Sequence, residues 1–259
     1  MKILIIGGTG FIGSKVVTIL RQEGHSVIVG APSDGIDTIS GEGLEEALQE
    51  TEIVIDISNS PSLDGDAAID FFSTSGRNLL AAEIKAGTKH HLALSIVGTD
   101  LIDMGYMNAK KVQEDLIKES GLPYTIIRST QFFEFLPAIT GAATQGTNEA
   151  HVSDIAFQPI AADDVAALIS SIAVSDPING IVNIAGPEPG TMNDFVAFYL
   201  KGVGRSEDVV TNNRGEYFGV PIPHSALVPH GNARLGKITF NQWLTLLNEM
   251  FKNQRINNQ

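Results

Sequence analysis

The chain of 259 residues contains no cysteine. That excludes disulfide staples, a thiolate nucleophile and any cysteine-ligated metal, and it fits a reducing compartment. Positive charge is scarce: 17 Lys and Arg stand against 30 Asp and Glu, a net charge of −13. Phosphate backbones are held by clustered cations, so a nucleic-acid partner is disfavoured. Long apolar runs are missing as well, and no stretch reaches the roughly 20 residues that a bilayer-spanning helix needs. The apolar start is broken by glycines at once, and no small-residue cleavage pattern follows, so no secretory leader is expected. A cytoplasmic protein without a membrane partner is the expectation. Metal ligation is not expected either. His90 and His91 adjoin at a strand start, where neighbours point to opposite faces, and both are expected to be solvated. His151, His224 and His230 fall in loops without ligand spacing.

What the chain does have is concentrated near its start. Lys2-Ile3-Leu4-Ile5-Ile6 is a β-branched run of the kind buried in a parallel sheet, and Gly7-Gly8-Thr9-Gly10-Phe11-Ile12-Gly13 follows it directly. Helical periodicity then runs from Ser14 to Glu23 through Val16, Val17, Ile19 and Leu20, stopped by Gly24. A second strand, His25 to Val29, completes the unit. Glycines three apart between strand and helix give a tight turn at Gly7, a bare backbone approach to phosphate at Gly10, and close helix-on-strand packing at Gly13. The helix N-terminus adds unpaired N–H groups and the positive end of its dipole. The context is that of a dinucleotide pyrophosphate cradle.

Beyond it, apolar strands alternate with helices at short intervals, the pattern of an α/β doubly wound parallel sheet. Strands are expected at Ile53–Ile57, His91–Ile96, Tyr124–Arg128 and Ile181–Ile184. Helices are expected at Leu44–Leu48, Ala67–Ala86, Asn108–Ser120, Asp163–Ala173, Met192–Lys201 and Phe240–Phe251, with a fraying polar tail. The expected organisation is a dinucleotide-binding domain over 1–130, completed by parts of 150–185. A smaller mixed region, 131–259, follows it and shapes a substrate pocket. Asp163 and Asp164 suit a helix start through capping and the dipole. The aromatics of Gln131-Phe132-Phe133-Glu134-Phe135 read as core or pocket wall, with Phe132 the candidate to line the substrate site.

Tyr106 and Lys110 stand four apart at the start of a helix, so they share a face one turn apart. An ammonium close to a phenol stabilises the phenolate and lowers its pKa from about 10, which allows proton exchange near neutral pH. The same lysine can hold a cofactor ribose. The pair follows the strand that ends near Ser95, and ligands of open parallel sheets bind beyond strand carboxyl ends.

On these residues the chain resembles the short-chain dehydrogenase/reductase superfamily, in its atypical NmrA-like branch, which shares its Rossmann frame with nucleotide-sugar epimerases. The matching pieces are the loop Gly7 to Gly13, the helix Asn78-Leu79-Leu80-Ala81-Ala82, Ser95, and Tyr106-Met107-Asn108-Ala109-Lys110. Gly121 to Arg128 and Ala162-Asp163-Asp164-Val165-Ala166 complete the set. The resemblance implies a nicotinamide cofactor, Tyr106 as general acid/base, and Lys110 on the nicotinamide ribose. It also implies a Ser or Thr beside the tyrosine, for which Ser95 is the first candidate and Thr99 the alternative.

The expected cofactor positions are Gly7, Thr9, Gly10, Phe11 and Ile12 in the loop, Ser33 after the second strand, Ser58 and Asn59 after the third, and Lys110. NAD-selective relatives carry an acidic residue about 18 to 20 positions past the last glycine. Here the count reaches Ala31, and Ser33 is available to a 2′-phosphate, which favours NADP. No Arg or Lys lies between Gly24 and Glu52, and Asp34 and Asp37 remain candidates to hold a ribose, which keeps NAD open. The function expected is NADP-dependent reduction of a small carbonyl, quinone or similar acceptor. The alternatives are a dinucleotide redox sensor acting through a protein partner and a nucleotide-sugar epimerase or dehydratase. Length argues against the last, since only about 130 residues follow Arg128.

Overall fold

Strands whose side chains are apolar on both faces can sit only between two layers of helix. Ile3, Leu4, Ile5, Val54, Ile55, Leu92, Ile126 and Ile127 have no solvent exposure and form such a sheet. In the computed structural model, which describes residues 1–257, the elements begin β1 (Lys2–Ile6), α1 (Phe11–Gln22), β2 (Ser26–Gly30), α2 (Leu44–Leu48), β3 (Ile53–Asp56), α3 (Gly65–Ala86), β4 (His90–Ile96), α4 (Gly105–Glu119) and β5 (Tyr124–Ser129). They continue with α5 (Leu136–Thr144), β6 (Glu149–Ser153), β7 (Ala156–Phe157), α6 (Ala162–Ala173), β8 (Gly180–Ala185), β9 (Gly190–Thr191) and α7 (Met192–Gly202). Last come β10 (Asp208–Asn212), β11 (Glu216–Tyr217), β12 (Val220–Pro221), β13 (Ala233–Leu235) and α8 (Phe240–Asn257).

Two compact units share the chain. One comprises Met1–Ser129 and Val165–Ile184; the other comprises Thr130–Asp164 and the residues from Ala185 onward. In the first unit the strands run β2-β1-β3-β4-β5-β8. Every neighbouring pair is parallel, with Ile6 opposite both Gly30 and Asp56. This is the doubly wound Rossmann-type sheet expected from the alternation. The chain leaves β1 for β2 on one side and then crosses to β3 on the other, so the crevice of the sheet opens beyond the carboxyl ends of β1 and β3.

The second unit is irregular. Parallel β6 and β10, antiparallel β7 and β9, and the β11–β12 hairpin are each two-stranded. Their core is aromatic: Phe133 lies 5.4 Å from both Phe240 and Trp243, and Phe195 lies 5.4 Å from Phe240. β6, β10 and α5 are not among the elements expected from the sequence. Helix α8 runs on to Asn257, beyond the expected fraying point at Phe251, because Lys, Asn, Gln and Arg do not break a helix. Residues 258–259 of the expected tail lie outside the described residues.

Two local expectations are corrected. His90 and His91 are buried, not solvated. His90 meets the Ala173 carbonyl at 3.2 Å and the Thr125 hydroxyl at 2.9 Å, and His91 meets the Glu83 carboxyl at 2.8 Å. Asp164 does not cap its own helix: Oδ2 accepts the backbone N–H groups of Lys237 and Ile238 at 2.8 and 2.7 Å. A carboxylate in a helix first turn is free to satisfy orphan donors elsewhere, and here those donors lie just before α8.

Helix α1 packs so closely on the turn after β1 that a Cβ at position 13 would stand 2.1 Å from the Gly7 carbonyl oxygen. Gly13→Ala is therefore expected to destabilise the protein by about 2 kcal/mol, the usual scale of overpacking. Urea unfolding checks this, and an unchanged midpoint contradicts it.

Candidate functional site

The cradle is built from backbone. Gly7 adopts φ 76°, and a Cβ there would lie 2.7 Å from the Ile57 carbonyl oxygen, so the loop after β1 and the turn after β3 touch through main chain. The Gly7 carbonyl accepts the Gly10 N–H at 2.9 Å, which closes the turn. Gly10 is the N-cap of α1 and brings no side chain to the first-turn N–H groups, while Thr9, Gly10 and Phe11 are exposed. Ile12 is buried and anchors the helix beneath them. A bare helix N-terminus beside open backbone suits a pyrophosphate, and these residues fit the phosphate part of a dinucleotide.

The turn after β3 carries the next residues. Asp56 accepts the Ser58 N–H at 2.9 Å and so shapes the turn that presents exposed Asn59. The Asn59 side-chain carbonyl accepts the Tyr106 hydroxyl. Tyr106 reaches it because α4 starts at Gly105, earlier than Asn108. There its backbone meets the start of α3 so tightly that a Cβ on Gly65 would lie 2.8 Å from the Gly105 Cα. Gly7, Ile57–Asn59 and Tyr106 thus form one continuous rim at the carboxyl ends of β1 and β3.

Lys110 takes a different direction from the one expected. The residue is 3% exposed, and its ammonium lies 4.6 Å over the Phe72 ring. It donates to the Leu94 carbonyl at 2.7 Å and to the Gln113 side-chain carbonyl. Gln113 passes the chain of bonds on by donating to Asp56 Oδ2 at 2.7 Å. Phe72 is what Tyr106 and Lys110 share, its ring standing 6.2 Å from Tyr106 in edge geometry. Burial pushes the Tyr106 phenol up to about 12, opposite to the lowering expected from a neighbouring ammonium. Burial brings Lys110 down to about 8, against the pull of Asp56 and Glu114 that would raise it.

Ser95 and Thr99 are both buried and bonded away from this rim. Ser95 donates to Glu114 at 2.6 Å, and Glu114 also takes a two-point grip from Arg128 at 2.9 and 2.8 Å. Burial alone would raise the Glu114 carboxyl, but the bonds from Arg128 and Ser95 outweigh it and hold it below the ordinary carboxylate range. Thr99 donates to the Ile96 carbonyl. Ser33 stands exposed in a short 3₁₀ turn after β2, its hydroxyl 3.3 Å from the Asp34 carboxylate, while Ala31 is buried. Among the described residues no cluster of three or more His, Asp or Glu could hold a metal ion, and no helix is long and apolar enough to cross a membrane.

Asp56, Gln113 and Glu114 were not singled out from sequence. Asp56 left one clue: it is the only ionisable residue in the strand Ile53-Val54-Ile55-Asp56-Ile57. Gln113 and Glu114 look like ordinary helix-surface residues until the buried face of α4 is known.

Within the second unit a cleft of about 520 Å³ is lined by Ile139, His151, Met192, Arg214 and Phe218 among others. Phe132 does not line it and stacks instead on Phe135, with ring centroids 5.3 Å apart.

The depressed Lys110 pKa makes stability depend on pH in a defined sense. Between about 8 and the unfolded value of 10.5 the unfolded chain binds more protons than the native one, so stability rises with pH. Relative to Lys110→Met, the wild type is expected to gain up to about 3 kcal/mol between about pH 7.5 and 10.5. Paired urea titrations measure the gap, and a gap that stays constant contradicts the buried ammonium.

Comparison with known proteins agrees with this geometry. A family model described as NAD(P)H-binding matches residues 7–176. The divinyl chlorophyllide a 8-vinyl-reductase of Cucumis sativus is 28% identical over 223 residues, covering 72% of this chain and 53% of that protein. The photosystem II assembly factor Ycf39 of Cyanophora paradoxa is 31% identical over 152 residues, covering 52% and 47%. The chain thus spans about half the length of the curated relatives it matches. Among solved structures, a Thermotoga maritima UDP-glucose 4-epimerase superposes with a TM-score of 0.74 at 20% identity, covering 98% of this chain and 99% of that one. An Escherichia coli NADPH-dependent quinone oxidoreductase complexed with NADPH reaches 0.66 at 24% identity, covering 82% and 78%. Such likenesses show the shared fold. With the matched region running from the glycine loop through Asn59 and Tyr106 and over more than half of the chain, this chain belongs to the NAD(P)H-binding family.

Proposed function

We propose that the protein is an NAD(P)H-dependent reductase of a small carbonyl, quinone or similar acceptor, with Tyr106 as the proton donor. One observation carries the reading: the phosphate cradle, the turn after β3 and the Tyr106 hydroxyl form one continuous rim, joined at Gly7–Ile57 and at Asn59–Tyr106. The reductase named among its relatives supports the same class of chemistry. Bound nicotinamide in its reduced form supplies the hydride. Gly7, Thr9, Gly10, Phe11 and Ile12 hold the pyrophosphate, and Ser58 and Asn59 flank the nicotinamide half. With its pKa near 12, Tyr106 is a neutral phenol at physiological pH, the form that donates. Lys110 lies behind Tyr106, on the Phe72 ring that both touch.

A second reading, a dinucleotide-dependent sensor acting through a protein partner, is favoured by a separate observation. Lys110 and Ser95, two members of the expected catalytic set, are occupied by internal partners. It predicts unequal affinity for oxidised and reduced cofactor and no turnover across a panel of quinones and carbonyls.

Tyr106→Phe is expected to lower turnover by at least about 100-fold while leaving NADPH affinity within about twofold, because a phenyl ring keeps the packing and removes the hydroxyl that supplies the proton, together with its bond to Asn59. Steady-state kinetics beside a binding titration tests this, and undiminished turnover removes Tyr106 from its role. The preference for NADPH rests on Ala31 and Ser33, opposed by the Asp34 carboxylate beside Ser33. Asp34→Asn is therefore expected to tighten NADPH binding about fivefold with little effect on NADH, the scale of one like-charge contact in water. Equal changes for both cofactors contradict that placement.

A further inference from the structure

Asp56 stands where two strings of hydrogen bonds meet. It ends β3 and is 5% exposed, in a strand otherwise wholly apolar. Oδ1 accepts the Ser58 N–H at 2.9 Å, and Oδ2 accepts Gln113 Nε2 at 2.7 Å. The first bond shapes the turn whose next residue, Asn59, accepts the Tyr106 hydroxyl. The second fixes the Gln113 amide so that its oxygen faces the Lys110 ammonium, which the Leu94 carbonyl also accepts at 2.7 Å. Gln113 is 2% exposed and Lys110 3%. A buried carboxylate is tolerated only where donors meet it, and here both oxygens of Asp56 have one.

We propose that Asp56 is the positioning residue of this site, one carboxylate oxygen setting the Asn59–Tyr106 contact and the other setting, through Gln113, the place and charge of Lys110. The proposal rests on the reading of Tyr106 as proton donor for its functional meaning, but the linkage to Lys110 stands on geometry alone. The groups that face Lys110 are Gln113 and Glu114 from α4, Asp56 from β3, the Leu94 carbonyl from β4 and the Phe72 ring from α3. Glu83 from α3 and His91 from β4 also interact with the Asp56 charge. Asp56 is thus the carboxylate through which the cradle-side turn and the buried ammonium respond to each other.

Hydrogen-bond polarity supplies a sharp test. In Asp56→Asn the new amide can still accept from Ser58, but its NH₂ then faces the Gln113 NH₂. If Gln113 rotates to accept, its own NH₂ faces the Lys110 ammonium, so one donor–donor pair persists either way. Adding Gln113→Glu removes the conflict. The carboxylate introduced at position 113 accepts both from the amide at position 56 and from Lys110, and the negative charge returns to the site one step further along.

The measurement is the Lys110 side-chain pKa, by NMR of selectively ¹⁵N-lysine-labelled protein without added cofactor, beside turnover and NADPH affinity. In D56N, Lys110 is expected to lose one of the two carboxylates that favour its charged form, and its pKa to fall by about one. Turnover falls at least about tenfold in the same variant. In D56N/Q113E both recover most of the way. The proposal is overturned by a Lys110 pKa that D56N leaves in place, by a double variant that titrates like D56N, or by a double variant that does not fold. Undiminished turnover in Tyr106→Phe removes the Tyr106 reading alone, since the lysine titration does not depend on it.

Discussion

Everything at the carboxyl edge of the sheet depends on how closely α1 is allowed to sit on the turn that follows β1. The Gly7 carbonyl lies where a side chain at position 13 would project, and Gly7 itself presses on the main chain of Ile57. With no Cβ at either point, three pieces of backbone meet directly: the loop, the helix and the turn after β3. That contact sets the open end of α1 beside Ser58 and Asn59, and through Asn59 it determines where the Tyr106 hydroxyl can bond. A single methyl group at position 13 forces the helix away and loosens each later contact in turn.

Behind this backbone rim lies a polar interior that a sheet of this kind ordinarily excludes. Asp56, Gln113, Lys110, Glu114 and Ser95 are all nearly inaccessible, and partly buried Arg128 joins them through Glu114. Removing such groups from water costs more than their pairing returns unless every donor finds an acceptor. Here the matching is close: Lys110 has Leu94 and Gln113, Gln113 has Asp56, and Glu114 has Arg128 and Ser95. The same low-dielectric surroundings lower the Lys110 pKa and raise that of Tyr106, so that the ammonium gives up its proton more readily than in water while the phenol stays protonated.

Much of this was legible in the sequence because the information is local. A β-branched run, glycines three apart and an amphipathic helix can be read within about twenty residues, and they sufficed for the strand–loop–helix unit and the parallel sheet. The spacing of Tyr106 and Lys110 correctly put them on one helix, but spacing says nothing of where a flexible four-carbon stem turns. Lys110 turned inward because Leu94, Gln113 and the Phe72 ring offer it partners from three different elements. His90 and His91 misled for a similar reason: histidine looks polar until Thr125, Ala173 and Glu83 are brought to meet it. The second unit was least legible, since its core is assembled from aromatics spread between Phe133 and Trp243 and its strands pair only two at a time.

The sequence by itself determined the α/β alternation, the glycine loop between β1 and α1 and the class of ligand, because each rests on backbone geometry that a few adjacent residues dictate. Only the tertiary structure decided which partners the polar residues behind the rim take. It set Asp56 between the Ser58 turn and Gln113, turned Lys110 into the interior, and gave Ser95 to Glu114. Those choices follow from burial and donor–acceptor matching among residues up to 57 positions apart, and such matching leaves no periodic trace along the chain.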